Sequence, residues 1–389
     1  MANDLILTLN AGSSTVKLGL YEAGHSGISP LASGVIYFRD TPFEIRLKHD
    51  GQSLSHPLTA ELDDSNALLQ ESFDWLAQRF DLSRLTMIGH RVVHGGDIFT
   101  GPALITDKVL DQIGALAQLA PLHQPQSLRL IHAMRAFHPE VMQTASFDTA
   151  FHTTNSALVR RFAIPRALHD QGIKRYGFHG LSYRYIAGQL ADLPPGAKVV
   201  VAHLGSGASL CAMKDGTSRD SSMGFSTLDG IPMATRSGAL DPGVILHLMG
   251  PLGLTLEQVE TVLYHESGLL GVSGFAADSR ELIASDRPEA AEAIALFCHR
   301  IVGEVARLAT TLDGLDAIIF TAGIGENQPE VRAMVARQLG WLGLELDVAA
   351  NAANARRIST PQSRIAALVI PTDEESIIAA EAFSLKETK

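Results

Sequence analysis

The chain has 389 residues, 46% hydrophobic and 19% charged, with a formal net charge of -11 at pH 7. That length favours two domains over one core, and the acidic balance excludes a protein that grips a nucleic-acid backbone through clustered lysine and arginine. Cys211 and Cys298 are the only cysteines, which excludes a disulfide framework and a CxxC metal knuckle.

In chain order, apolar runs with β-branched content alternate with helix-like segments, the mark of an α/β protein. The first residues, MANDLILTLN, are too short a run for a signal peptide, and no apolar stretch reaches transmembrane length. A cytoplasmic protein with neither membrane nor nucleic-acid partner is expected. Strands are predicted at Leu5 to Leu9, Val16 to Tyr21 and Met87 to Val93, with helices at Ser65 to Phe80 and Asp107 to Ala117. The segment Asp192 to Lys198, DLPPGAK, is a clear break. After it come strands at Val199 to His203 and Ser209 to Met213, then a helix at Pro288 to Leu312. Strands at Ala317 to Thr321 and Ala366 to Ile370 flank a helix at Pro329 to Leu339. The last helix, Glu374 to Lys386, can pack on either domain. The expected domains are 1–150, which the segment 374–389 can join, and 151–373.

One pattern occurs twice. LILTLNAGSSTVKLGL from Leu5 and VVVAHLGSGASLCAM from Val199 are each an apolar strand, a Gly-Ser turn and a second apolar strand. Gly12 aligns with Gly205 and Ser13 with Ser206, and a polar residue, Asn10 or His203, stands two positions earlier. Glycine lets backbone approach an anion, and the hydroxyls add donors, so the pair suggests two half-sites on one polyphosphate. Neither GxxxxGK[ST] nor GxGxxG follows, so a different nucleotide cradle is needed. Ile318 to Asn327, IIFTAGIGEN, reads as a strand, a glycine-rich turn and then a helix opened by Glu326 and Pro329.

His90 and His94 have the spacing of a helical metal pair but sit in a strand-like run with no third ligand, which argues against zinc. Asp148 lies in an otherwise uncharged stretch, TASFDTAFH, and must meet an arginine, a metal-bound water or a ligand. Arginines beside glycine turns, in HRVVHGG, RYGFHG and ATRSG, suit a carboxylate or a phosphoryl group. Gly224, Gly230 and Gly238 suggest a loop passing closely round a ligand. Glu374 and Glu375 open a helix, where acidic residues are ordinary dipole partners.

These stretches together closely resemble the acetate kinase family: LNAGSSTVKL, GHRVVHGG, APLHQP, FDTAFH, RYGFHGLSYRY, VVAHLGSGAS, SSMGFSTLDG, ATRSGALDPG, SGLLGVSG, FTAGIGEN and PTDEES, in family order from residue 5 to about 380. The resemblance implies two duplicated actin-like (ribonuclease H-like) α/β domains with a nucleotide cleft, as a homodimer. It implies transfer of a phosphoryl group between ATP and acetate, giving ADP and acetyl phosphate, with magnesium, for which manganese can substitute. Asn10 and Glu374 would be the metal ligands and Lys17 would reach the phosphates. Arg91 would bind the acyl substrate, with Val93, Leu122, Phe178 and Pro232 round its methyl group. Asp148, His179 and Arg236 would surround the phosphoryl group, with His123 nearby. The nucleotide would lie along His203, Leu204, Gly205, Ser206 and Gly207, along Asp278, Ser279 and Arg280, and along Gly323, Ile324, Gly325, Glu326 and Asn327. Ser206 stands where the family commonly has Asn, Thr15 where Ser is usual, and Asp373 where Asn is usual. Propionate kinase shares the motifs, and a non-catalytic ATP switch of the actin type is the alternative outside the enzymes. Because acetate is ionised at neutral pH, no general base is required, and Asp148 is expected to orient Arg91 or a metal-bound water.

Overall fold

The computed structural model describes residues 3–12, 15–25, 27–37, 43–59, 65–121 and 123–387. Ser13 of the first turn and Leu122 of the acyl set lie outside the described residues. Two compact units emerge, Met1–Ala150 with Asp373–Lys389, and Phe151–Thr372.

The first unit is built on β1 (Asp4–Ala11), β2 (Thr15–Gly24), β3 (Gly27–Tyr37), β4 (Glu44–His49), β5 (Gln52–Pro57), β6 (Leu85–Val92), β7 (Ala103–Leu104) and β8 (Met142–Phe147). They form one sheet in the order β5-β4-β3-β2-β1-β6-β8-β7. β1 to β5 run as an antiparallel meander, whereas β1, β6 and β8 are parallel. β1 is central and covered on both faces, which is why LILTLN is buried almost without alternation. The helix Glu374–Glu387 lies against this sheet, with Ala379 and Ala382 in a cluster with Ile6, Tyr21 and Met87. Gly89 lets it come close: a Cβ there would stand 2.6 Å from Ile378 Cγ2.

The second unit holds β9 (Lys198–Leu204), β10 (Ala208–Lys214), β11 (Thr217–Ser221), β12 (Ala317–Thr321) and β13 (Ala366–Val369), in the order β11-β10-β9-β12-β13. β9, β10 and β11 are antiparallel neighbours, and β9, β12 and β13 are parallel. Without β4, β5 and β7 the first sheet has the same order and the same strand senses. The repeated hairpin is therefore the first hairpin of a repeated sheet. The helix Pro288–Leu312 buries positions 290, 293, 294, 297, 298, 301, 305 and 308, the three-and-four spacing of one apolar face. Among the described residues no helix is long and apolar enough to cross a membrane.

Two expectations need correction. Residues Ala322–Asn327 form a short helix directly after β12, not a glycine-rich turn. Glu326 makes this possible, since its Oε1 accepts from the Ala322 backbone N–H at 2.7 Å and from that of Thr372 at 3.1 Å. The glycines of 223–238 make room for protein, not for a ligand. A Cβ on Gly224 would stand 2.5 Å from Asp229 Oδ2, and one on Gly238, at φ 69°, 2.5 Å from the Ile231 backbone. Arg175 draws this loop together through Asp229 and the carbonyls of Ser221 and Ser222.

Candidate active site

In the first unit, the end of the first hairpin, the end of β6, the residue after β8 and the start of the last helix meet. Asp148 is 1% exposed, and its partner is an arginine: Arg91 Nε donates to Oδ1 at 3.0 Å and Nη2 to Oδ2 at 2.6 Å. Arg91 Nη1 donates to Asn10 Oδ1 at 3.1 Å. Asn10 Nδ2 in turn donates to Glu374 at 2.8 Å and to Glu375 at 2.9 Å. Its amide orientation is fixed by these neighbours, because carboxylates only accept and a guanidinium only donates. Among the described residues three of the five N–H groups of Arg91 are thus used, which leaves two for a ligand. Burial works against the charge on Arg91, but Asp148, Glu374 and Glu375 outweigh it and hold its proton more firmly than usual. Val93 is buried in the same unit and His123 half-buried, while Lys17, opposite Asn10 in the hairpin register, is exposed.

Glu375 was not singled out from sequence. Burial raises its pKa above the ordinary carboxylate value and the neighbouring Glu374 adds to this, while Lys17 opposes it. A divalent cation would relieve that raised state. Among the described residues no group of three or more His, Cys, Asp or Glu side chains could hold a metal, yet magnesium needs only one or two protein carboxylates beside water and phosphate oxygens. The carboxylates of Glu374 and Glu375 fit it. Asn10 Oδ1 accepts from Arg91 and keeps a second lone pair that can meet a cation beside the acidic pair.

Gln124 was also missed. Fully buried, it accepts from the His94 N–H at 3.2 Å and donates to the His94 carbonyl at 3.0 Å, fixing the chain just beyond β6. His90 bonds Gln143 Oε1 through Nε2 at 2.9 Å, and His94 Nδ1 accepts from the Gly96 N–H. In the second unit His152 sits between Ser218 Oγ and the Phe178 carbonyl. Burial lowers each of the three to a pKa of about 4. Their unfolded value is about 6.5, so the unfolded chain binds more protons between these limits. Their contribution is complete above pH 6.5 and is lost as pH falls toward 4. At pH 5.5 each should cost about 1.4 kcal/mol, with Glu375 acting in the opposite direction. Urea unfolding at pH 7.5 and 5.5 checks this, and equal stabilities would contradict it.

The second unit gathers another cluster. His179 precedes the helix Gly180–Ala187 in the left-handed region, at φ 56°, a strain of order 1 to 3 kcal/mol for a non-glycine residue. Its ring stacks on that of His203, with centroids 4.3 Å apart, and its Nδ1 lies 2.8 Å from Ser209 Oγ. His203 Nδ1 lies 2.8 Å from Ser182 Oγ. Leu204 is buried, and Ser206 is exposed in the three-residue turn that joins Leu204 to Ala208. Phe178 and Pro232 are buried, and Arg236 Nη1 donates to the Thr227 carbonyl at 3.2 Å. Asp278 caps the helix Ser279–Ile283 and pairs with Arg280 at the surface, while Ser279 is buried and bonded to Gln328. Gly323, Ile324, Gly325 and Asn327 belong to the short helix after β12.

That helix is anchored from below by Arg332, which is fully buried. Arg332 donates to the Gly325 and Glu326 carbonyls at 2.9 and 3.0 Å, and to Asn351 and Asn354. Arg332→Met keeps most of the stem but orphans these acceptors, and should lower the unfolding free energy by about 3 kcal/mol. Chemical denaturation measures it; a loss under about 1 kcal/mol would contradict the anchoring role.

An arginine with two open donors among carboxylates that suit a hard cation is equipment for phosphoryl chemistry on a small acid. With one sheet order used twice, it places the protein among the actin-like kinases. The chain belongs to the acetokinase family, whose model matches residues 5–380. An acetate kinase from Rhodopseudomonas palustris (strain TIE-1) is 46% identical, over 99% of this chain and 99% of that protein. Among solved structures, a propionate kinase from Francisella tularensis subsp. tularensis SCHU S4 is 36% identical, over 98% of this chain and 99% of that one, with a TM-score of 0.91. The acetate kinase of Porphyromonas gingivalis is 32% identical, over 98% and 100%, at 0.86.

Proposed function

We propose that this kinase transfers the γ-phosphoryl group of ATP reversibly to acetate, giving acetyl phosphate and ADP. The observation that carries this reading is Arg91, aimed by Asp148 and Asn10 and left with one N–H on each terminal nitrogen, donors that suit a carboxylate. A carboxylate oxygen of acetate attacks the γ-phosphorus, and the bridging oxygen leaves with ADP. The attacking group is already an anion, so no proton has to be removed. Alignment and charge stabilisation are then the protein's task. Arg91, with Val93 and His123 in its unit, holds the acyl substrate, and His179 and Arg236 donate to the transferring group. His203 to Gly207, Asp278 to Arg280 and Gly323 to Asn327 are assigned to the nucleotide, with Lys17 reaching its phosphates. Glu326 and Ser279 serve there through backbone and packing contacts. Asn10 and Glu374, with Glu375 beside them, would hold magnesium or manganese, which when bound offsets the nucleotide charge.

The test is acetate-dependent ADP release, trapped with hydroxylamine as the hydroxamate. Nucleotide hydrolysis unaffected by acetate would favour an ATP switch instead. The 36% identical propionate kinase supports a second reading, a preference for propionate. One methylene in an apolar pocket is worth about 1 to 3 kcal/mol, so kcat/KM on acetate, propionate and butyrate decides between them.

We further propose a cytoplasmic homodimer. The helix Pro242–Met249, PGVILHLM, has no buried residue, and Leu246 and nearby Leu252 and Leu256 are 72%, 59% and 63% exposed. Such a patch calls for a cover, and a second copy is the one assigned to it. Leu246→Glu should shift the protein to monomer in light scattering at micromolar concentration. An unchanged dimer would place the interface elsewhere.

A further inference from the structure

His179 is held by more than its own backbone. Its Nδ1 lies 2.8 Å from Ser209 Oγ, and the same oxygen lies 2.5 Å from the hydroxyl of Tyr183, which is fully buried. Ser209 is fully buried on β10, opposite His203 in the hairpin register, and the His203 ring stacks on His179. The imidazole is thus clamped in its plane by a ring and at one nitrogen by a hydroxyl. The other nitrogen, Nε2, faces the glycine turn: a Cβ placed on Gly207 would stand 3.4 Å from it.

We propose that Tyr183 and Ser209 are positioning residues that fix the tautomer of His179. Tyr183 donates its phenolic proton to Ser209 Oγ, Ser209 donates its own to His179 Nδ1, and the ring proton is left on Nε2. Two features select this direction. A phenol is a better donor than an alkyl hydroxyl, and the short O···O separation suits phenol-to-alcohol donation. The chain is also self-consistent, each hydroxyl donating once and accepting where it must, so successive bonds polarise one another. The opposite arrangement puts a lone pair on Nε2, which repels an anionic phosphoryl group. With the proton on Nε2, the ring presents a fixed donor to that group and has nothing to reorganise during transfer. The role in transfer rests on the proposed kinase reaction, whereas the tautomer does not.

Two measurements separate the two. In the full-length protein labelled with ¹⁵N-histidine, the His179 ring should show a protonated Nε2 and an unprotonated Nδ1, and Ser209→Ala should move it to a tautomer mixture. A protonated Nδ1 in the unaltered protein would overturn the proposal whatever the enzyme turns over. In the acetate assay, Ser209→Ala should lower kcat about 30-fold and Tyr183→Phe about 5-fold, with KM for ATP and acetate changed less than threefold. Because the two act in series, the double variant should be no slower than Ser209→Ala alone. In a His179→Ala background, Ser209→Ala should change kcat less than twofold. A further tenfold fall there would show that Ser209 acts independently of His179 and would overturn the proposal. Unaltered protein that forms no acyl phosphate would count against the proposed reaction and leave the tautomer result standing. Should Ser209→Ala fail to fold, Tyr183→Phe carries both measurements.

Discussion

Arg91→Ala should lower kcat/KM for acetate on the order of 10⁴-fold, within the range of arginines that stabilise phosphoryl transfer. The size follows from what the side chain does at once. It holds both oxygens of Asp148, it steadies Asn10, and it keeps two donors for the ligand. Its loss also takes a positive charge from beside buried carboxylates. Asp148 and Glu374 are 1% and 8% exposed, so removing the guanidinium should cost about 3 to 5 kcal/mol of stability. The kinetic measurement therefore belongs at a temperature where denaturation curves show the variant folded. Arg91→Lys separates the two effects: the ammonium restores much of the stability, but a point charge cannot hold Asp148 and a second carboxylate side by side. We expect it to stay at least 10²-fold slow. Full activity in Arg91→Lys would show that only charge is needed and that the fork is not.

That Asp148 needs a partner was legible in the sequence, because a lone aspartate in TASFDTAFH is too costly to bury unpaired; an arginine, a metal-bound water and a ligand all suited it, and the geometry selects the arginine. The repeated hairpin was legible for a similar reason: a central strand buried on both faces reads as an unbroken apolar run, and β1 and β9 both do. Glu375 was not. In sequence it is one of two acids in a first helical turn, and only its distance to Asn10 and its burial distinguish it. Gln124 was hidden because its partner is the backbone of a residue 30 positions away, which leaves no pattern along the chain. The helix Ala322–Asn327 was misread from its glycines. A carboxylate four residues on caps its start, and local composition gave way to that bond. In the same way, the glycines of 223–238 signalled close approach correctly but not what approaches: Arg175 and the loop's own backbone occupy the space.

Asp148→Asn should reduce kcat on the order of 10³-fold, and the manner of the loss identifies the role of Asp148. Both carboxylate oxygens accept from Arg91, through Nε and Nη2, so the group aims the guanidinium. An amide of the same shape keeps one acceptor and turns an N–H toward the arginine, where donor meets donor. Arg91 must then turn, and the donors it holds out to the acyl substrate turn with it. KM for acetate should rise together with the fall in kcat, while KM for ATP, whose assigned residues lie largely in the second unit, should change less than threefold. A proton-abstracting Asp148 predicts something else: residual activity that climbs with added buffer base, and an unchanged KM for acetate. Aiming predicts no buffer rescue at any concentration, because acetate arrives as the anion and there is no proton to take. It also predicts partial recovery in Asp148→Glu, which keeps two oxygens for the guanidinium at a displaced position. Near-normal turnover in Asp148→Asn with unchanged magnesium dependence would remove Asp148 from the mechanism and leave Asn10 as the residue that orients Arg91.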